Sequence, residues 1–178
     1  NGRFGVALIK SGQEVGASAT PYELGTIARI ERVDEENNGS IPIIARGMER
    51  FRIVSLDYSL PYLVADVRLL EEVVDEAAEI AAAHAREEVN RYIRLLLAVR
   101  GEWHRQPQLP NDPLGLLHFL GTILLGLSAE IRQRILEAEP VSNRLEMTST
   151  VLSEAAGELE KNVMRSGPGE DRSIFGAN

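Results

Sequence analysis

Residues 25–56 constrain the fold more than any other stretch, because each half of this segment alternates between branched apolar and charged side chains. Such alternation is typical of a β-strand with one buried face. The halves are separated by Glu-Glu-Asn-Asn-Gly at 35–39, and Asn-Gly supplies the positive φ angles that a tight hairpin turn needs. The segment is therefore predicted to form a β-hairpin, and Gly47 in its second arm predicts a β-bulge or a close backbone approach.

Further strands are predicted on both sides of this hairpin. Residues 3–10 form a first strand, Ser11-Gly12 a turn, and residues 13–15 the start of a return strand. Residues 62–70 alternate again, and one face of that strand consists of Leu63, Ala65, Val67 and Leu69. Half a dozen short strands with frequent turns predict a twisted, mostly antiparallel sheet that curls into a small barrel.

The composition changes at Asp75, and residues 77–100 contain neither Gly nor Pro. Apolar residues in this part step by three and four, which predicts one long helix with a single buried stripe. The members of the stripe are Ala82, Ala85, Val89, Tyr92, Leu96, Val99 and Trp103.

Three more helices are predicted after a loop at 101–111. Asp112-Pro113 is a helix start signal before the mostly apolar residues 114–127, which are too few to span a membrane. Ser128 caps a short helix over 129–139 that Pro140 ends. The last helix has the stripe Val141, Leu145, Thr148, Leu152, Ala155 and Leu159, in which Thr148 is the one polar member.

The chain is thus predicted to be an α+β protein in two parts. Residues 1–74 form the barrel, and residues 75–165 form a helical bundle. Residues 166–178 contain Gly-Pro-Gly and little to bury, which predicts a flexible tail.

Several short motifs in the first seventy residues resemble the LON N-terminal domain family. They are Phe-Gly-Val at 4–6, Gly-Thr-Ile-Ala-Arg-Ile at 25–30, Ala-Arg-Gly at 45–47, Glu-Arg-Phe at 49–51 and Pro-Tyr-Leu at 61–63. No single tripeptide is specific, but their order and spacing are. Leu136-Glu137, Val141, Arg144-Leu145 and Leu152 extend the resemblance into the helical part more faintly.

The resemblance implies a PUA-like barrel that serves as the substrate-recognition domain of ATP-dependent Lon proteases. Members of the family have further strands before the Phe-Gly-Val segment, and this chain begins at Asn1 without them, so we expect it to be part of a longer protein. The Gly-Pro-Gly tail differs from the long charged helix of full-length Lon proteases, which favours a stand-alone LON-domain protein.

Charge and cysteine content narrow the function. The formal net charge is −8, from 27 acidic and 19 basic residues, which argues against a phosphate-backbone binder and an anionic membrane surface. The absence of cysteine excludes disulfides, thiolate zinc sites and thiol nucleophiles and fits a cytoplasmic protein.

No catalytic motif is found in the sequence. There is no phosphate-binding G-x-x-x-x-G-K-[ST] loop, and Lys10 and Ser11 are strand neighbours that point to opposite faces, so they do not form a Ser-Lys dyad. His84 is expected on a solvated helix face and His118 in the core. We therefore predict no enzyme activity, no catalytic residue, no metal and no cofactor.

Two kinds of side chain remain as binding candidates. Arg46, Arg50 and Arg52 could form a basic stripe, but cross-strand pairing with Glu31 or Asp34 is the favoured interpretation. Apolar side chains in or near loops are the usual anchors for peptides. The candidates are Tyr22, Leu24, Tyr58, Leu60 and Leu109, whereas Tyr62 and Trp103 are expected to close the seam between barrel and helices.

The sequence thus favours a non-catalytic domain that binds unfolded or tagged polypeptides, alone or beside a protease or chaperone, in protein degradation or quality control. An open strand edge would accept a guest strand, and an apolar groove between barrel and bundle would accept its side chains. Nucleic-acid and membrane partners are not expected, and an oligomer is compatible with the sequence. The alternatives are a PUA-like RNA-binding barrel, which would need a salt-sensitive basic surface, and a small hydrolase with a buried pair of titratable residues.

Overall fold

A computed structural model describes residues 2–13, 19–35, 39–100 and 107–165. The chain divides into two compact units. The sheet unit comprises Asn1–Glu72 together with Ser128–Glu137, and the helical unit comprises Val73–Leu127 together with Ala138–Asn178. Residues 128–137, which the sequence analysis assigned to the helical bundle, thus group with the sheet.

In its described residues, the sheet unit contains six strands in two antiparallel sheets. Four strands pair in the order β1-β4-β5-β6, and β2 pairs with β3. Their bounds are Arg3–Val6 for β1, Ile9–Ser11 for β2, Thr20–Pro21 for β3, Leu24–Val33 for β4, Ile43–Asp57 for β5 and Val64–Leu69 for β6.

The predicted hairpin is formed by β4 and β5. Gly39, at the end of the predicted turn, has a φ of 80°, and residues 36–38 lie outside the described part. Between the pairs Thr26↔Arg50 and Ala28↔Gly47, β5 contains one residue more than β4. This β-bulge next to Gly47 confirms the prediction made for that residue. The extra residue bends β5 and increases its twist.

The closed barrel is not confirmed. Within the described residues, β1 pairs only with β4 and β6 only with β5, so the sheet curls without joining its two outer strands. The single strand predicted over 3–10 is two strands, β1 and β2, in separate sheets. The return strand predicted at 13–15 falls mostly outside the described residues.

A short helix, α3 (Ala129–Glu137), completes the sheet unit. Ser128 caps it, since the backbone N–H of Ile131 donates to Ser128 Oγ at 3.3 Å. The buried Gln133 donates from Nε2 to the backbone carbonyl of Leu24 at 3.0 Å, which ties the helix to β4.

Arg50 makes the second connection between α3 and the sheet. Its Nε and Nη2 contact the two carboxylate oxygens of Glu72 at 2.9 and 3.3 Å, and its Nη1 donates to the carbonyl of Leu136 at 2.8 Å. Paired carboxylate and guanidinium groups of this kind combine charge with fixed geometry. The buried arginine therefore links β5, the segment after β6 and α3.

The helical unit contains α1 (Ala78–Arg100), α2 (Pro113–Ile123) followed by a 3₁₀ turn at Leu124–Gly126, and α4 (Val141–Arg165). Helix α1 packs against α4. The buried residues of α1 are Ala78, Ala81, Ala82, Ala85 and Val89, so the predicted stripe is buried over its first half. Trp103, at the end of that stripe, lies outside the described residues.

Aspartate side chains accept hydrogen bonds from backbone N–H groups in the first turns of α2 and α4. Asp112 Oδ1 accepts the backbone N–H of Gly115 at 2.6 Å, and Pro113 is the first helical residue of α2, as predicted. Helix α4 is capped from a distance by Asp75, which accepts the backbone N–H of Ser142 at 3.1 Å and its hydroxyl at 2.7 Å. The side-chain hydrogen bond from Ser142 is the main reason why the pKa of Asp75 is lowered.

Thr148 is fully buried in the stripe of α4, although it is polar. Its hydroxyl donates to the carbonyl of Arg144 in the preceding turn at 2.8 Å, so the polar group is satisfied within its own helix. His118, in the apolar run of α2, was predicted to lie in the core. It is exposed, so this prediction is wrong.

The predicted tail at 166–178 lies outside the described residues. In the part of the chain that is described, no helix is both long enough and apolar enough to cross a membrane.

Candidate functional site

The sheet unit contains a cavity of about 510 Å³ whose lining residues all have uncharged, apolar side chains or are glycine. We call it the apolar groove. Its twelve lining residues are Gly5, Ala7, Ile9, Ala19, Pro21, Ile27, Phe51, Ile53, Leu56, Leu63, Ala65 and Val67. Because the lining comes from strands β1, β2, β3, β4, β5 and β6 and the segments beside them, the curvature of the sheet creates the groove.

Strand register explains why apolar residues converge on this face. Gly5 is paired with Ile27, and Ile53 is paired with Val67, and paired positions on neighbouring strands face the same side of the sheet. Side chains alternate between the two faces of a strand. The opposite face of the same strands contains Leu24 and Arg50, the residues that contact or approach α3.

Phe51 forms the floor of the groove. Its ring is buried, and a Cβ atom added at Gly25 would lie 2.6 Å from the ring and 2.5 Å from the backbone oxygen of Val6. A Cβ at Gly5 would lie 3.2 Å from the same ring. Two glycines on neighbouring strands thus leave the space that the aromatic ring occupies.

The groove ends at two open strand edges. Within the described residues, neither β1 nor β6 has a strand partner on its outer side. Leu63 and Val67 line the groove and are also substantially exposed. An unpaired edge next to exposed aliphatic side chains can pair with an added strand and bury its side chains at the same time.

A second cavity of about 520 Å³ lies beside the groove and shares Pro21, Ile53 and Leu56 with it. Its remaining lining is mixed, with Lys10, Glu23, Arg52 and Glu137 among its charged members. Arg52 Nη1 lies 3.5 Å from Glu23 Oε2, so opposite charges are paired at its rim.

The structure does not bring the five predicted binding residues together. Tyr22 lines the second cavity and is partly exposed. Leu24 lines the same cavity, but its exposed fraction is only 2%, because it packs in the core of the sheet unit. Tyr58 and Leu60 are exposed but line neither cavity.

The last candidate, Leu109, lies in the helical unit and is half-buried. Its segment is held by Arg86, whose guanidinium donates to the carbonyl of Pro110 at 3.3 Å and to the carbonyl of Asn111. Tyr58 and Leu60 lie beside an Asp57–Ser59 turn. The backbone N–H of Ser59 donates to Asp57 at 2.8 Å and lowers the pKa of that carboxyl group.

The residues that the binding prediction missed are those of β6 and the segment before it. Leu63, Ala65 and Val67 were recognised as one face of a strand, which is the signal that could have found them. Alternation identified the face, but it could not tell whether another layer would cover it.

The arginine prediction is confirmed for one residue of three. Arg46 Nε lies 2.9 Å from Glu31 Oε1, as expected for cross-strand pairing. Arg50 pairs with Glu72 instead, and Arg52 with Glu23. In the described part of the chain, no three His, Asp or Glu side chains are grouped so that they could hold a metal ion.

The fold and the groove define a class of small α+β domain with an open antiparallel sheet. The family model described as the ATP-dependent protease La (LON) substrate-binding domain matches residues 1–154. The chain belongs to this family. The match confirms the resemblance that the sequence motifs indicated.

Curated relatives are similar over most of this chain. The Lon protease of Brevibacillus choshinensis is 28% identical over 141 residues, which is 78% of this chain and 18% of that protein. The Lon protease of Paraburkholderia phytofirmans is 32% identical over 140 residues, covering 77% and 17%. The chain thus spans less than a fifth of the length of these relatives.

Solved structures support the fold. The Lon N-terminal domain protein from Xanthomonas campestris has a TM-score of 0.53 at 25% identity, covering 82% of this chain and 73% of that one. The N-terminal domain of the Mycobacterium avium complex Lon protease has a TM-score of 0.56 at 19% identity, covering 88% and 90%. The second similarity concerns the fold alone.

Proposed function

We propose that this chain is a non-catalytic polypeptide-recognition domain that binds extended apolar segments of unfolded or tagged proteins. The observation that carries the proposal is the apolar groove, whose lining contains no charged side chain and which lies between two open strand edges. An extended guest would pair its backbone with an edge strand and place alternate side chains in the groove.

The same geometry accounts for tolerance of sequence. Backbone hydrogen bonds do not depend on the side chains of the guest, and an apolar groove accepts aliphatic and aromatic residues alike. A domain that selects polypeptides for degradation needs such breadth. A role in protein degradation or quality control, beside a protease or chaperone in the cytoplasm, is the biological setting that we propose for this binding.

The test is a fluorescence anisotropy titration of a labelled, permanently unfolded polypeptide with the wild-type chain and with Leu63→Ser and Val67→Ser. Each substitution removes aliphatic surface from the groove without adding charge. Because burying a methylene contributes about 0.8 kcal/mol, the loss of two carbons in Val67→Ser or three in Leu63→Ser removes about 1.6 to 2.4 kcal/mol and should weaken binding roughly 15-fold to 60-fold.

Val54→Ser is the matched control. Val54 is a highly exposed valine of β5 that does not line the groove, so its replacement should change the affinity less than about twofold. Circular dichroism verifies that each variant is folded. Equal affinities for the groove variants, the control and the wild type would refute the groove as the binding site, and no binding at all would refute the function.

Strand addition has a separate readout. Hydrogen exchange measured with and without the polypeptide should show slower exchange for backbone amides of β1 or β6, because their outer edges gain hydrogen-bond partners. Unchanged exchange at both edges would leave side-chain binding in the groove as the mode.

A further inference from the structure

Three arginines lie side by side across the face of the sheet that forms the groove. Arg3 on β1 is paired with Arg29 on β4, and Arg29 is paired with Arg46 on β5. We call them the arginine row. Directly opposite side chains on neighbouring antiparallel strands are about 5 Å apart at Cβ, and like charges in such positions repel each other.

The chain neutralises this row only in part. Glu31 lies 2.9 Å from Arg46 and 3.6 Å from Arg29, measured between the nearest nitrogen and its Oε1. Arg3 has no ion pair within the described residues. Glu49, in the bulge of β5, forms an ion pair with none of the three arginines in the described part of the chain. Even if the charges of both Glu31 and Glu49 are subtracted, the three arginines keep one excess positive charge.

The row is accessible to a ligand. Arg3 is exposed, and the side chain of Arg46 has an exposed fraction of 67%. The whole chain has a net charge of −8, so the arginine row is a positively charged patch on a negatively charged protein. An anionic group is therefore attracted to this part of the sheet and repelled by most other surfaces.

The arginine row continues the apolar groove along the strands. The pair Arg3↔Arg29 is followed, two residues further on, by the groove pair Gly5↔Ile27 on the same face. Two residues of a strand span about 7 Å, which equals the spacing of alternate side chains in an extended peptide. One extended guest can thus place a carboxylate at the row and its neighbouring apolar side chains in the groove.

We propose that the domain selects extended polypeptide segments in which a carboxylate flanks an apolar stretch at a distance of two to four residues. The inference rests on the proposed polypeptide-binding function and names the class of segment that is preferred. Guanidinium groups bind carboxylates through paired hydrogen bonds, so an arginine row is suited to this group. The carboxylate is that of an acidic side chain within the segment.

The experiment compares labelled peptides that share one apolar core. Two have Glu or Gln on the same flank and blocked termini, and a third has Lys there. A fourth has Gln on the flank and a free C-terminal carboxylate beside the core. The Glu peptide should bind threefold to tenfold more tightly than the Gln peptide, and the Lys peptide more weakly than either. The preference should shrink between about 50 and 300 mM salt, because exposed charges are screened.

Charge-removing variants locate the effect. Arg3→Gln and Arg46→Gln should abolish the preference for Glu and leave the affinity for the Gln peptide within about twofold. Arg68→Gln is the matched control, since Arg68 is an exposed arginine of the same sheet whose position, next to Val67, is on the other face. The preference should survive in this variant. Its loss in Arg68→Gln would contradict the assignment to the row.

The outcomes separate the two proposals. If the Glu, Gln and Lys peptides bind equally, the carboxylate preference is refuted and the groove function stands. If no peptide binds, both are refuted. If an RNA oligonucleotide binds in a manner that depends on Arg3 and Arg46 while the peptides do not bind, the site is a nucleic-acid site and both proposals fail. If the free-carboxylate peptide binds more tightly than the Gln peptide while the Glu peptide does not, the acidic side chain is refuted as the source of the carboxylate.

Discussion

Replacement of Arg50 by methionine is expected to destabilise the sheet unit strongly. The side chain of Arg50 is 4% exposed, and that of its partner Glu72 is 20% exposed. Arg50→Met keeps the length and apolar character of the stem but leaves the carboxylate of Glu72 and the carbonyl of Leu136 without the guanidinium. Both groups lose their hydrogen bonds to Arg50 while they stay largely desolvated.

The magnitude follows from burial. Removal of one member of a buried ion pair typically costs 3–5 kcal/mol, and Glu72 recovers part of that loss from water because it is not fully buried. We expect a loss of about 3 kcal/mol, a large share of the 5–15 kcal/mol that stabilises a typical domain. With an m-value of about 1.5 kcal/mol/M, the urea midpoint would fall by about 2 M.

Arg52→Met is the matched control on the same strand. Arg52 and its partner Glu23 are 43% and 81% exposed and 3.5 Å apart. An exposed ion pair contributes about 0.5 kcal/mol or less, so this variant should resemble the wild type. Urea unfolding gives the free energies, and hydrogen exchange of peptides from β4 and β5 shows whether the loss is in the sheet unit.

A double variant sharpens the test. Glu72→Leu added to Arg50→Met removes the carboxylate that the guanidinium no longer neutralises, so it should recover about 1 kcal/mol relative to Arg50→Met alone. Equal urea midpoints for Arg50→Met and Arg52→Met would refute the reasoning, because burial would then not determine how much an arginine contributes to the free energy of unfolding.

Gly25→Ala should lower the free energy of unfolding by about 3 kcal/mol, because a Cβ there overlaps a backbone oxygen and an aromatic ring. Gly121→Ala, with open space around it in α2, should raise that free energy by about 0.5–1 kcal/mol. Urea unfolding of both variants checks the opposite signs. Asp75→Asn should weaken the cap of α4 at pH 7. The folded pKa of Asp75 is lowered, so its contribution is present above the unfolded value of about 4 and disappears as the pH falls through the folded value. Thermal melts should therefore show a smaller difference between variant and wild type at pH 3 than at pH 7. Thr148→Val should change stability by less than about 1 kcal/mol, since it removes a donor and keeps the shape, and a larger loss in urea would show that the hydroxyl does more than satisfy its own helix.

Local patterns predicted the local structure of the chain. Alternation and a glycine were enough to place the hairpin and its bulge, and Asp112-Pro113 marked the start of α2, because each of these features depends on residues close together in sequence. Periodicity of three and four likewise placed α1 and α4.

Partner choices over long sequence distances were not predictable. Arg50 was expected to pair within the hairpin, but its partner Glu72 is 22 residues away, and Leu136 is 86 residues away. Leu24 and His118 were placed on the wrong side of the boundary between surface and core, because that boundary depends on which elements pack together. The groove was missed for the same reason, since the sequence of β6 shows an apolar face but not whether a further layer covers it.

The discontinuous sheet unit has a practical consequence for anyone who dissects this chain. A fragment truncated after residue 72 would retain all six strands and lose α3, so Arg50 would lack the carbonyl of Leu136 and β4 would lack Gln133. Such a fragment should be markedly less stable than the whole chain. A synthetic peptide of residues 128–137 added to the truncated fragment should restore part of that stability, so the pair would form a split protein whose reassembly could be followed directly.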